Sequence, residues 1–274
     1  AETEDFIGSV RRTIMLAAVR SIALSSMATH SHDPISAMIL AAGRGMRMRP
    51  LTDATPKPLL PLRGKPLMQW AMEALGRGGF DRLVINTAWL GEQIAQRFAD
   101  WPQTHPGAEL RFSHEGQDFG YALETAGGIS RALPLLGEVF WVLAGDVYAP
   151  DFVFGQNSVD RFVASDHLAH LWLVPNPPHH PNGDFALSAD GLALDASGGE
   201  RFTYSTIGLY RRGLFEKPWC DTVPGNPQGT AEPLAPLLRK AMAAGRVSAE
   251  LYTGPWTDVG TPERLQELDI GPPG

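Results

Sequence analysis

The sequence predicts a doubly wound α/β domain with a mostly parallel central sheet and helices on both faces. Three observations predict it. Short apolar runs alternate with helical patterns along the first half of the domain. The first run empties into a glycine-bearing loop, Ala41-Ala42-Gly43-Arg44-Gly45, and a later run, Phe140-Trp141-Val142-Leu143-Ala144-Gly145, delivers Asp146. Parallel strands joined by helices need right-handed crossovers, and such sheets bind ligands beyond the carboxyl ends of their strands.

Residues 1–35 read as an N-terminal extension and residues 36–274 as the domain. Arg11-Arg12 before an apolar stretch resembles a weak targeting sequence, but Arg20 interrupts it and a core strand follows directly. An upstream extension, with Met27 or Met38 as initiator, is the better reading. The run through Ile39-Leu40 is then a buried strand. Lys65 to Leu75 is a helix with Leu67, Trp70, Ala71, Ala74 and Leu75 on one face, ended by Gly76, Gly78 and Gly79. A strand from Arg82 to Asn86, a helix from Glu92 to Phe98 and a strand from Glu109 to Ser113 follow. Glu124 to Leu133 is a helix and Val139 to Leu143 a strand. Beyond Asp151 the pattern loosens into strands at Leu168 to Val174, Asp184 to Leu187 and Phe202 to Tyr210, a small extension of the sheet. Ala235 to Ala244 makes an amphipathic helix, Val247 to Tyr252 a last strand, and Pro262 to Leu268 a helix that Thr261 caps.

A chain of 274 residues that is 43% hydrophobic can fill a sizeable core. Its net charge of −7, from 30 acidic and 23 basic residues, disfavours nucleic acid as a partner and makes any phosphate site a local basic spot. Cys220 is the only cysteine, which excludes an internal disulfide framework and suits a reducing compartment, so a cytoplasmic location is expected. No segment is long and apolar enough to cross a membrane. A monomer or small homo-oligomer is expected.

The stretch from Ile39 to Pro58 is the most informative. Glycines after a strand let backbone N–H groups approach an anion, Arg47 can fork onto phosphate oxygens, and Lys57 supplies a point charge between two prolines. The bland alternative is a glycine turn with solvated arginines. There is no G-x-x-x-x-G-K-[ST], and Met48 takes the place of the third glycine of a dinucleotide fingerprint.

Asp146, at the end of an apolar strand, is placed as a magnesium ligand, and Asp258 is the candidate second acid; the plain alternative is an Asx turn or helix cap. Glu115-Gly116 and the segment opening at Glu124-Thr125 offer a second glycine-bearing edge, either a flat surface for a base or a helix start with Thr125 as cap. The loop from Asn176 to Phe185, stiff with proline and containing Asp184, could grip a hydroxyl-rich ligand or be surface only. His179-His180 suggest a metal but lack a third ligand. No G-x-S-x-G, no H-E-x-x-H and no cysteine beside a base occur.

Gly43, Gly45, Arg47, Met48 and Pro50, with Thr55-Pro56-Lys57-Pro58, resemble the signature of the sugar-1-phosphate nucleotidylyltransferases. The resemblance runs from about Met38 to the end and implies a Rossmann-like nucleotidyltransferase fold with a small sugar-binding extension. It implies that UTP and a sugar 1-phosphate react to give a UDP-sugar and pyrophosphate with Mg²⁺. Ala42, Gly43 and Gly45, with Arg47 and Lys57, would bind the UTP phosphates; Glu115 and Gly116 would hold the uracil; Glu124 and Thr125 would line the nucleotide pocket. Asp146 and Asp258 would carry the metal, making Arg47, Lys57 and Asp146 the catalytic set, and Asn176, Asp184 and Glu124 would face the sugar. Ser205-Thr206 stands where relatives carry Ser-Gly. The alternatives are a hexose-1-phosphate uridylyl-, guanylyl- or thymidylyltransferase, or a non-catalytic nucleotide-sugar sensor.

Overall fold

The computed structural model describes residues 35–196 and 199–270, so the expected N-terminal extension lies outside the described residues. The described residues form one compact unit. The strands are β1 (Ser36–Leu40), β2 (Pro61–Leu62), β3 (Lys65–Pro66), β4 (Arg82–Thr87), β5 (Glu109–His114), β6 (Val139–Ala144) and β7 (Val147–Tyr148). After them come β8 (Ala169–Val174), β9 (Phe185–Leu187), β10 (Ala193–Leu194), β11 (Arg201–Arg211), β12 (Val247–Leu251) and β13 (Thr257–Asp258). The helices are α1 (Leu67–Arg77), α2 (Gly91–Arg97), α3 (Trp101–Thr104), α4 (Glu115–Phe119), α5 (Glu124–Ala132), α6 (Gln156–Ala164), α7 (Leu234–Ala243) and α8 (Pro262–Ile270).

The main sheet runs β12-β8-β11-β6-β1-β4-β5. Every pairing within it is parallel except those of β11, which runs antiparallel between β6 and β8. Arg201 and Phe202 at the start of β11 pair with β9, whereas Gly208 to Arg211 pair with β6, and the register breaks between Tyr204 and Gly208. One strand thus ties the small β9–β10 extension to the rest of the sheet.

Side chains of a strand alternate between faces, and here both faces are apolar. Met38, Phe140 and Val142 pack with residues of α5 and α7. Ala37, Ile39, Trp141 and Leu143 pack on the other side with residues of α1 and α6. Two cores sandwich the sheet, as a doubly wound fold requires.

The predicted helix at Lys65 begins later, at Leu67. Lys65 precedes a proline, which forces it into extended backbone, and Lys65–Pro66 instead pairs with Pro61–Leu62. Helix α6 was absent from the sequence reading because only Val159 and Phe162 of its nine residues are buried, too narrow a stripe to stand out.

Candidate active site

A cavity of about 860 Å³ opens at the carboxyl edge of β1, β4 and β6, between the glycine loop and α7. Ala42, Gly43, Gly45 and Arg47 line one end of it. The amides of Ala42, Gly43 and Gly45 donate to no protein acceptor among the described residues, so they are free to bind an anion. Gly45 has a φ of +64°, and a Cβ there would lie 3.2 Å from the Cβ of Lys57 and 3.1 Å from Thr52 Cγ2. The loop therefore needs glycine both for its turn and for the close pass of Lys57.

The two arginines of the loop do different things. Arg44 is a strut: it donates to Thr52 O at 2.7 Å and to Asp53 Oδ1 at 2.8 Å, and stacks 3.7 Å over the Trp89 ring. Arg44 and Arg49 hold the Asp53 carboxyl below the usual range, through the Arg44 hydrogen bond first and then Arg49. Arg47 makes no hydrogen bond or ion pair among the described residues and lines the cavity.

Lys57, mostly buried, pairs with Asp146 Oδ2. Asp146 leads into β7, which pairs antiparallel with β13 so that Asp258 faces Val147, and Val259 N donates to Asp146 O at 2.9 Å. The two acids expected from the sequence thus sit on neighbouring strands. Their carboxylates have different partners: Asp258 Oδ1 lies 2.7 Å from Arg264 Nη1 and 2.8 Å from His179 Nε2, and Asp258 is not on the cavity wall. Among the described residues no three His, Cys, Asp or Glu side chains group around a common point. A hard cation completed by substrate phosphates needs only one or two carboxylates, and Asp146 on the cavity wall offers one. Of the adjacent histidines, His179 turns to Asp258 and His180 to Asp184.

Glu115, expected with Gly116 to hold a base, stands in the cavity wall, where its neighbours seal its side chain. The Glu115 side chain has no exposed surface. Its Oε1 accepts from Asn86 Nδ2 at 2.7 Å and its Oε2 from Leu123 N at 2.7 Å, while Asn86 Oδ1 accepts from Ala41 N at 2.8 Å. Burial pushes the Glu115 carboxyl above its ordinary value, against the pull of those hydrogen bonds. This chain of hydrogen bonds fixes the ends of β1 and β4 to the start of α5, and so shapes the glycine loop from behind. A Cβ on Gly116 would meet Ala88 O at 2.6 Å; glycine is there so that α4 can rest on the backbone after β4. Glu124, at a φ of +59°, and Thr125 do line the cavity, with Thr125 inside the first turn of α5 instead of at its cap.

At the other end of the cavity Asp184 accepts from Tyr204 N at 2.8 Å and lies 3.1 Å from His180 Nε2, beside Phe185 and Thr206. Asn176 is corrected: its side chain donates to Arg201 O at 2.8 Å and Pro181 O at 3.2 Å and accepts from Thr203 Oγ1 at 2.9 Å, so it braces its own loop and does not reach the main cavity. Thr206 has a φ of +63° and a buried hydroxyl with no partner, a costly state for a β-branched residue. Sequence reasoning missed the wall supplied by α7, from Pro233 through Leu234 and Leu238 to Arg239, because the helix looks like any amphipathic helix. Arg239 Nε lies 3.1 Å from Asp195 Oδ2.

Residues 36–191 match the family model described as nucleotidyl transferase. The chain is 46% identical over 237 residues to an N-acetylmuramate alpha-1-phosphate uridylyltransferase of Neisseria meningitidis serogroup B, covering 85% of this chain and 96% of the relative. A protein of the same name from Caulobacter vibrioides is 30% identical over 249 residues, covering 85% and 95%. Among solved structures, a Bacillus anthracis protein crystallised with sucrose superposes with a TM-score of 0.70 at 20% identity, over 86% of this chain and 94% of the other. That likeness concerns the fold alone.

Proposed function

Since the chain belongs to the nucleotidyl transferase family, we propose that its cavity joins UTP to N-acetylmuramate 1-phosphate, giving the UDP-sugar and pyrophosphate. The observation that carries the reaction is the set of unpartnered amides at Ala42, Gly43 and Gly45 beside the unpaired Arg47. Base and sugar rest on the likeness to the Neisseria relative.

A phosphate oxygen of the sugar 1-phosphate attacks the α-phosphorus of UTP in line with the departing pyrophosphate. The nucleophile is already an anion, so no general base is required and catalysis is alignment plus charge neutralisation. Arg47 and the loop amides receive the charge that develops on the pyrophosphate. Lys57 and Asp146 neutralise one another before substrate binds; the triphosphate gives Lys57 a new anionic partner and frees the Asp146 carboxylate. Asp146 and Asp258 would hold Mg²⁺, which would offset phosphate charge. Glu124 and Thr125 flank the nucleotide, and Asp184 faces the sugar. Glu115, in the cavity wall, and Gly116 lie on the side that takes the uracil. A place in cell-wall sugar recycling in the cytoplasm, as a monomer or small homo-oligomer, goes with this reading.

The test is pyrophosphate release from a panel of UTP, GTP and dTTP against N-acetylmuramate 1-phosphate, glucose 1-phosphate and mannose 1-phosphate. The highest kcat/KM is expected with UTP and N-acetylmuramate 1-phosphate. A higher value with any hexose 1-phosphate refutes the sugar assignment, and no release with any pair refutes the enzyme.

A further inference from the structure

The geometry points to Arg239 as the residue that selects an acidic sugar, through the carboxylate of the sugar's lactyl ether. This inference rests on the functional reading above. N-acetylmuramate differs from N-acetylglucosamine by that ether alone, so a site that prefers it must meet one extra negative charge. The cavity is poorly suited to do so by default, because Glu124 and Asp184 line it and the chain carries a net charge of −7.

Four cations line the cavity: Arg44, Arg47, Lys57 and Arg239. Arg44 is spent on Thr52, Asp53 and Trp89. Lys57 is paired with Asp146, and Arg47 stands beside the open amides at the glycine loop. Arg239 is on α7 and is tied by its Nε to Asp195, the residue that follows β10. Strand β10 pairs with β9, and Asp184 stands immediately before β9, so Arg239 belongs to the sugar wall and not to the phosphate end. Asp195 takes only the Nε side of the guanidinium. The two terminal nitrogens have no partner among the described residues, and together they form an end-on fork that matches a carboxylate. Asp195 thereby holds one side of the guanidinium of this half-exposed arginine.

The test crosses a change in the protein with a change in the substrate. The parent chain, Arg239→Gln and Arg239→Lys are each assayed with UTP and either N-acetylmuramate 1-phosphate or its lactamide, in which the carboxylate is a neutral amide. The parent is expected to prefer the acid about 10- to 100-fold in kcat/KM, mostly through KM, as one charge-assisted contact gives. Arg239→Gln is expected to bring that ratio close to one, and Arg239→Lys to keep part of it. A ratio unchanged in Arg239→Gln, or an equal loss on acid and amide, overturns the assignment. The melting temperature of each variant separates misfolding from lost recognition. If the parent turns over neither substrate while releasing pyrophosphate with a hexose 1-phosphate, the functional reading is what fails, and the inference falls with it.

Discussion

Replacing Glu115 by Gln tests whether the buried hydrogen-bond chain behind the glycine loop has the polarity seen in the structure. Ala41 N–H and Leu123 N–H are donors that cannot be reversed, and Asn86 and Glu115 lie between them. A carboxylate at 115 accepts from both sides. A glutamine accepts from one and turns an NH₂ group toward the other, so one donor faces another; flipping either amide only moves the conflict along the chain. A buried donor left unsatisfied costs about 1–3 kcal/mol, which in a domain of this size lowers Tm by about 2–12 °C. Asn86→Asp alone sets two carboxylates together and is expected to cost at least as much. The double variant Asn86→Asp with Glu115→Gln restores one acceptor for every donor and is expected to recover more than half of the loss. Urea unfolding of the four proteins measures this, and strictly additive losses would refute the polarity argument. The pH dependence has a definite sign. The folded Glu115 carboxyl keeps its proton to higher pH than an ordinary glutamate, at about 4.3, so in that window the folded state binds more protons than the unfolded one. The contribution of Glu115, taken as parent minus Glu115→Gln, is therefore fully present below pH 4.3 or so and declines as pH rises through the raised folded value. A difference that grows with pH there would show that burial does not dominate its titration.

Asp146→Asn should lower turnover about a hundredfold or more by removing an electrostatic anchor, and should lower Tm as well because the mostly buried Lys57 loses its partner; steady-state pyrophosphate assays on the folded variant decide it, and near-normal turnover removes Asp146 from the proposed metal site. Arg47→Ala should leave stability within about 0.5 kcal/mol, since the side chain has no partner to lose, while kcat/KM with UTP falls by roughly 10²- to 10³-fold. Gly45→Ala should cost about 1–2 kcal/mol through its left-handed backbone and the contact with Lys57, read by urea unfolding. Thr206→Gly should raise stability by about 1 kcal/mol, since relief of the strained backbone and loss of a stranded hydroxyl exceed the added flexibility of glycine.

What the sequence disclosed was local. Gly43, Gly45, Arg47 and Lys57 lie within one short stretch, and Asp146 is exposed by the apolar strand before it, so spacing alone placed them; the structure puts all five on one cavity. The sealed setting of the Glu115 side chain was not foreseen, because an acid after a strand looks the same whether it faces solvent or is held within a wall, and only the long-range partners Asn86 and Leu123 distinguish the two. Asn176 was misread for the same reason: its partners Arg201 and Thr203 are brought near by β11, far along the chain. The wall at Arg239 had no local sign at all, since a charged residue on an amphipathic helix is ordinarily solvated. The fold was legible because strand and helix periods are short-range signals; the loosened region after Asp151 was not, because its strands are brief and its one long strand serves two sheets.

The pairing of β13 with β7 also sets a schedule. The glycine loop and Asp146 leave the ribosome well before the segment through Asp258 that completes their edge, by about 6–20 s at ordinary elongation rates. The edge beside Asp146 is therefore complete only once the chain has been made through Asp258.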